Sequence, residues 1–440
     1  MKRKISLSTT VTLVLLTMAL TVTLTMLLAM RHFNNQLQLV SKRQAMYSYI
    51  NDVDKIVREY YPDMDEALLR QSIAQGYIYG IDDPYADYFT TEHYEAEKLR
   101  MEGKANNLGV VLGEIKDEAN GTAEFVVIRV HEGSPASRAV INVGDKLVAI
   151  DGAPVIGRSL SEVQAQINTA TKLSLTVRRG EGETSYPVVA DEYDVHSVQS
   201  AVLDNVGYVR ITAFYENTPE QFKDAVASLM DKSVTGIVFD VRNNTGGSPK
   251  AVQDILSQVM PLGAYGTMTD TKGKVTKLST KVSQAISVPT VTLINGNTAG
   301  EAEFFAGVLQ EAGLTTVLGQ TSEGKAKYQQ YFVLEQSYSA LKLTVGEYGL
   351  MKGGSWEGKG IEPTQIVALP PEQEENFQML TPHEDVQVQA AVDQLSEPTD
   401  QPIAPPDPPV TDPSDTDPTG TGTTGTESTT GATTTTTAKK

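Results

Sequence analysis

The sequence predicts an α/β protein with a small β-rich segment set into it, an apolar stretch at one end and a low-complexity tail at the other. Three observations carry this. From about residue 200, apolar runs of strand length alternate with amphipathic helical patterns, which predicts βαβ units around a mostly parallel sheet. Between about 105 and 190 the runs are short, close together and bounded by turn residues, as in a small β domain. Residues 5 to 30 contain no charge, whereas the chain after Ser396 is dominated by Pro, Thr and Gly.

Taken in order, Ile5 to Met30 is 26 uncharged residues, where about 20 suffice to span a bilayer. Lys2, Arg3 and Lys4 precede it and Arg31 alone follows at once. The excess of positive charge before the segment predicts a cytoplasmic N-terminus, a single-pass anchor in the cell membrane and an extracytoplasmic bulk. A cleaved signal peptide is the competing reading, but no small-x-small site lies near Leu27 to Met30. Residues 41 to 104 read as helical, with Tyr47, Ile50, Val53, Ile56 and Val57, then Leu68, Leu69, Ile73 and Tyr77, at helical spacing. Pro84 breaks the pattern.

In the β-rich segment the expected strands are Leu108–Gly113, Phe125–Val130, Lys146–Ile150, Leu173–Val177 and Ser185–Val189, with one helix over Leu160–Ile167. Beyond it, Tyr208–Ala213 is a strand. Thr218-Pro219-Glu220-Gln221 reads as a helix start with Pro at the first position and a capping-box Gln. Gly236–Val241, Val288–Ile294 and Thr315–Leu318 are further strands, the first nearly continuously apolar, as in a sheet covered on both faces. Helices follow Ser248-Pro249 and span Glu301–Ala312. From Ser396 to Lys440 there are eight prolines between Pro398 and Pro418, then Thr and Gly; such a segment cannot bury enough apolar surface to offset its ordering entropy and is expected to be disordered.

Composition excludes several functions. A formal charge of −19 argues against nucleic acid as a partner. The absence of Cys removes thiol catalysis and Cys-ligated metals, and the five His residues are too scattered to suggest a metal pair. No metal or cofactor is expected.

Residues 105 to 182 resemble a PDZ domain on Leu108-Gly109-Val110-Val111, Gly133-Ser134-Pro135-Ala136 and Gly144-Asp145-Lys146-Leu147-Val148-Ala149-Ile150-Asp151-Gly152. The resemblance implies capture of protein or peptide C-termini, with Asn107, Leu108, Gly109 and Val110 forming a nest for the terminal carboxylate.

Around that segment further motifs fall in order. They are Asp83-Pro84-Tyr85-Ala86-Asp87-Tyr88-Phe89, Asp240-Val241-Arg242-Asn243-Asn244-Thr245-Gly246-Gly247, and Ile294-Asn295-Gly296-Asn297-Thr298-Ala299-Gly300-Glu301-Ala302-Glu303. Gly319-Gln320-Thr321-Ser322-Glu323-Gly324-Lys325 follows, then Gln329 and Gly358-Lys359-Gly360-Ile361-Glu362-Pro363. Over residues 45 to 395 this resembles the C-terminal processing peptidases, or tail-specific proteases. The resemblance implies an α/β peptidase core over 183–395, a PDZ-like domain inserted before it, and Ser/Lys catalysis. The Ser attacks, a Lys takes its proton, a Gln orients the Lys, and backbone N–H groups hold the oxyanion. Carried over, the Lys is Lys325, the Gln is Gln329, and the oxyanion donors come from Gly246, Gly247 and Glu301.

The nucleophile position is Gly300, 25 residues before Lys325 as the family pattern requires, so the hydroxyl is absent where the alignment has no slip. Glu301 puts a carboxylate beside an oxyanion site. These residues point to a pseudopeptidase that binds chain ends. Thr298, Ser322 or a water activated by Lys325 would instead make a displaced-nucleophile peptidase, and the acidic Thr/Pro tail leaves a surface structural or adhesion protein as a third reading. The resemblance also raises a homodimer through residues 41 to 80 or 385 to 395.

Overall fold

The computed structural model describes residues 7–116, 123–280 and 286–396. Lys2, Arg3, Lys4 and the tail from 397 onward lie outside the described residues. The chain divides into two units, residues 1–83 and 84–440.

The first unit is helical. Helix α1 (Leu7–Tyr60) contains Val11–Asn34, a stretch long and apolar enough to cross a membrane. Thr17, Thr21 and Thr23 return their hydroxyls to carbonyls one turn back, which removes the cost of burying them in lipid. Helix α2 (Glu66–Tyr79) is capped by Asp65, whose carboxylate accepts from Ala67 and Leu68 N–H.

In the second unit, β1 (Asp87–Phe89) and α3 (Thr91–Met101) precede β2 (Lys104–Asn107). Here the helical reading of 41 to 104 fails locally: Asp87-Tyr88-Phe89 is a strand, because it pairs antiparallel with Ala340–Lys342 far along the chain. A six-stranded sheet follows, made of β3 (Val110–Lys116), β4 (Ala123–Val130), β5 (Lys146–Ile150), β6 (Ala153–Pro154), β7 (Lys172–Arg179) and β8 (Gly182–Val189). Its order is β3-β4-β5-β7-β8, with β6 pairing β5, so β3 is an edge strand. The short helix α4 (Pro135–Arg138) and α5 (Leu160–Thr169) close it over a core that includes Leu108, Val110, Phe125, Ile150, Val163 and Leu175. Ser159 and Glu162 form a reciprocal capping box on α5. Strand β9 (Asp191–Asp194) pairs back with β2, clamping entry and exit of this domain together.

The remaining chain is the α/β core. Strands β10 (Val198–Leu203) and β11 (Val206–Ile211) form a hairpin, and α6 (Thr218–Asp231), β12 (Gly236–Asp240) and α7 (Pro249–Val259) follow. Thr218-Pro219-Glu220-Gln221 does start a helix, but without the expected capping box. The Thr218 hydroxyl takes the Tyr215 N–H, and the Gln221 side chain turns away to accept from Ser197 and Val198 N–H. Tertiary donors outcompeted the local one. Next come β13 (Gly263–Asp270), β14 (Val275–Thr280), β15 (Thr290–Ile294), α8 (Glu301–Glu311), β16 (Thr315–Gly319), β17 (Lys327–Val333), β18 (Ala340–Leu350) and β19 (Gln365–Ile366). Helix α9 (Pro371–Glu375) and α10 (Val386–Ser396) end the described chain.

Strands β11, β12, β15, β16 and β19 run parallel, with β10 antiparallel at one edge. Every residue of β12 is buried, as a strand covered on both faces requires. One face packs on α6, α7 and α8 through Phe222, Phe239, Ile255 and Phe305; the other packs on α10 through Val238, Leu293, Val388 and Val392. A second, antiparallel sheet, β1-β18-β13-β14 with β17 also on β18, lies against α8. Between two sheets α8 has no solvent face, and Glu301 through Leu309 are all buried. The site sits at its first turn.

Candidate active site

Two loops at the carboxyl ends of parallel strands meet at the start of α8. After β12, Asn244 donates to Ile211 O and accepts from Gly246 N–H at 2.9 Å, which folds the Gly-Gly turn. Gly247 has φ +151° and pairs with Phe214; a Cβ there would stand 2.2 Å from Phe214 O, so only glycine fits. After β15, Asn295 bridges to Asn243 and accepts from Asn297 N–H. Ala299 N–H donates to Asn244 O and ties the two loops together.

Gly300 follows with φ 60° and ψ −122°, a backbone that L side chains rarely adopt. A Cβ there would meet nothing closer than Thr245 O at 3.5 Å. The position thus keeps both the strain and the room of a site for a side chain. Glu303, fully buried, fixes it. Its carboxylate accepts from Gly300 N–H (3.0 Å), Lys325 N–H (2.8 Å), Gly324 N–H (2.7 Å) and the Ser322 hydroxyl (2.5 Å). One carboxylate therefore sets the spacing between the Gly300 and Lys325 backbones.

Gly246, Gly247, Glu301, Lys325 and Gln329 line one cleft of about 700 Å³. Their arrangement departs from the expected one at three points. Gly246 N–H is spent on Asn244, so Gly246 contributes conformation and not an oxyanion donor. Gln329 does not orient Lys325: its amide donates to Lys327 O and Thr344 Oγ1, because β17 turns it toward β18. The Lys325 amine lies instead 4.9 Å from the centre of the Tyr85 ring, within cation–π range.

The third departure is Glu301. Its carboxylate accepts from Gly247 N–H at 2.9 Å and from the Tyr348 hydroxyl at 2.9 Å. The one Gly-Gly amide left to hold an oxyanion is thus already holding a carboxylate. Burial pushes the Glu301 carboxyl up from its ordinary value, against the Gly247 and Glu301 backbone bonds, Tyr348 and the charge of Lys325. The unfolded chain then loses this proton at lower pH than the folded one, so stability falls as pH rises from the ordinary carboxylate value toward the raised one. Glu301→Gln keeps an acceptor for Gly247, and the Tyr348 hydroxyl can rotate to face the new amide. It should raise the thermal midpoint by roughly 2–4 °C at pH 8, with the gap closing below the ordinary carboxylate range. A gap that is constant with pH would show that Glu301 is not a destabilised charge.

Both alternative hydroxyls are engaged elsewhere. Thr298 is fully buried, donating to Val241 O and accepting from Asn295 N–H. Ser322 donates to Glu303 and accepts from Ile361 N–H.

The sequence reading did not single out Tyr348, Lys342 or Tyr85 for the site. Lys342 lines the cleft, its pKa lowered by burial first and by the charge of Lys325 second. The signal was the alternation of Leu341, Leu343 and Val345 with Lys342 and Thr344, a strand period. Among the described residues no cluster could hold a metal ion.

At the other expected site, Leu108 is fully buried and Gly109 N–H is taken by the Asn107 side chain at 2.8 Å, which also accepts from the Tyr193 hydroxyl. The nest drawn from Asn107 to Val110 therefore lacks the Gly109 donor in this state.

The comparisons agree with this architecture. Residues 205–367 match the model of peptidase family S41 and residues 98–178 that of the PDZ domain. Carboxy-terminal processing protease CtpA of Bacillus subtilis (strain 168) is 29% identical over 323 residues, which is 72% of this chain and 68% of that protein. CtpB of the same organism is 26% identical over 337 residues, 74% of this chain and 68% of the relative. The structure of an S41 protease from Bacteroides fragilis NCTC 9343 shares the fold, with TM-score 0.53 at 16% identity, covering 78% of this chain and 96% of that one. The chain joins a PDZ domain to a peptidase family S41 domain, and together with its likeness to CtpA and CtpB this supports a C-terminal processing peptidase with a PDZ domain.

Proposed function

We propose that the chain is a membrane-anchored, extracytoplasmic pseudopeptidase that captures protein C-termini through its PDZ domain and has lost cleavage, or nearly so. The observation that carries this reading is the pairing of Gly300, which offers no hydroxyl, with the Glu301 carboxylate bonded to Gly247 N–H. Losing the nucleophile of such a unit costs on the order of 10⁴ to 10⁶ in rate. A carboxylate in the oxyanion position opposes the charge that develops there. A displaced nucleophile is disfavoured by the engagement of Thr298 and Ser322. Orientation rests on Lys2, Arg3 and Lys4 against Arg31. Exposed Tyr47, Ile56, Leu68 and Tyr77 give the first unit an apolar surface suited to a homodimer.

The test is incubation of the full chain, in detergent, with a peptide pool bearing free C-termini, followed by mass spectrometry. Bound peptides with no new termini are expected, and C-terminal amidation should abolish binding. New termini that disappear in Lys325→Ala would overturn the loss of cleavage. Equal binding of acid and amide would overturn carboxylate capture.

A further inference from the structure

Strand β3 is an edge of the PDZ sheet, with β4 on its inner side, and α5 packs beside it, so an extended chain could add there as a strand. His131 N–H donates to Gly109 O on the β4 side, and by the pleat Val110 and Leu112 turn their backbone groups the other way. Those groups are not open. Gln164, on α5, accepts from Leu112 N–H at 2.8 Å and donates to Val110 O at 3.0 Å. A single side-chain amide thus supplies the acceptor and the donor that two peptide groups of an added strand would supply. Its amide nitrogen also donates to Asn168 Oδ1 at 2.8 Å, one helical turn on, which holds the side chain in that pose. One residue before the strand, Asn107 fills Gly109 N–H in the same manner.

We infer that Gln164 is an internal occupant of the peptide-binding edge. An incoming chain end must expel the Gln164 amide from Val110 and Leu112 before it can pair with β3. The inference rests on the chain-end reading given above. The occupant it competes with is the C-terminal segment of another polypeptide in extended form, because the groups Gln164 covers are backbone groups in strand register and carry no information about side chains. Gln164 therefore taxes all such ligands alike, and sets the affinity threshold of the domain without setting its sequence preference. The exchange is nearly neutral in hydrogen-bond number: two bonds to Gln164 are replaced by two to the ligand, and the ligand gains net affinity only from its carboxylate, its side chains and any further pairing along β3.

The experiment uses the full chain in detergent and labelled decapeptides covering all twenty C-terminal residues, as free acids and as amides, read by fluorescence anisotropy. Gln164→Ala should bind the free acids about tenfold more tightly than wild type, by a similar factor for every peptide that binds. Hydrogen exchange at Leu112 should speed up in the unliganded variant and slow again on peptide binding. If wild type binds the acids and Gln164→Ala binds them equally or more weakly, the inference fails and the chain-end reading stands. If Gln164→Ala tightens acids and amides alike, the inference stands and carboxylate capture fails. Absence of binding by both proteins across the whole set overturns both.

Discussion

Replacing Arg242 with Ala should destabilise the core domain by about 3–5 kcal/mol, the cost of leaving buried charge without its partner. Arg242 is 2% exposed. Its guanidinium donates to both oxygens of Asp240, at 2.9 and 2.6 Å, pairs with Asp385 at 2.8 Å and donates to Gln387 at 2.6 Å. It also lies over the Phe377 ring at 4.8 Å. Burial alone would push the Asp240 carboxyl up; the charge and hydrogen bonds of Arg242 overcome that and hold it at about 2. A carboxyl depressed in this way contributes stability that is present above its unfolded value of 3.8 and lost as pH falls toward 2. Without Arg242, Asp240 keeps the Tyr208 hydroxyl, the residue-242 N–H and the charge of Arg210, and Asp385 keeps the Gln387 and Val388 N–H groups, which leaves two buried carboxylates short of a paired cation. The urea midpoint should fall accordingly. Hydrogen exchange across Val388–Val392 should accelerate more than in α7, because Asp385 and Gln387 are what pin α10 to the sheet. A loss below about 1 kcal/mol, the worth of an exposed ion pair, would mean that apolar contacts alone hold the helix.

That cluster also marks the boundary between what the sequence disclosed and what it hid. Asp240 and Arg242 stand in a recognisable motif at a strand end, so their importance was legible; Asp385 and Gln387 are ordinary polar residues until the fold sets them against Arg242, which lies 145 positions before Gln387. The same division runs through the fold. The parallel strands β11, β12, β15 and β16 are runs of largely buried apolar residues and could be read directly, as could α7 from Ser248-Pro249, whereas β19 is two exposed residues and could not. Strands β13, β14 and β17 carry Lys, Thr, Gln and Tyr on a partly exposed sheet, where periodicity is diluted, and they were not read; in β18 the alternation is confined to Leu341–Val345. At the site, the 25 residues from Gly300 to Lys325 are closed by Glu303, which binds both backbones. What spacing could not show was where side chains point. Gln329 turns to Thr344, Lys325 leans on Tyr85, and Glu301 reaches back to Gly247, each choice made by a neighbour remote in sequence.

Gly300→Ser, Glu301→Ala should create a site that reacts with a fluorophosphonate probe, where wild type does not react. The Ser Cβ has room, with Thr245 O at 3.5 Å as its nearest contact. Its backbone, at φ 60° and ψ −122°, costs a non-glycine residue about 1–3 kcal/mol, which the loops tied by Glu303 and Asn244 are built to carry. Ala at 301 withdraws the carboxylate from Gly247 N–H and leaves that amide, with the N–H of residue 301 at the start of α8, free to hold an oxyanion. Gly300→Ser alone should label far more slowly, since the carboxylate remains on Gly247 and repels the anionic adduct. Lys325 must swing from the Tyr85 ring to reach the new hydroxyl, and Lys325→Ala in the double variant should cut labelling by about 10³-fold or more. Removing Glu301 also strands the buried Tyr348 hydroxyl, at about 1–3 kcal/mol. Adding Tyr348→Phe removes that penalty and keeps the test valid if the double variant unfolds. Labelling of wild type that disappears in Thr298→Ala would identify a nucleophile this geometry excludes. A folded triple variant that stays silent would mean that Lys325 and Gly247 no longer form a catalytic pair, and that the loss of cleavage extends beyond Gly300 and Glu301.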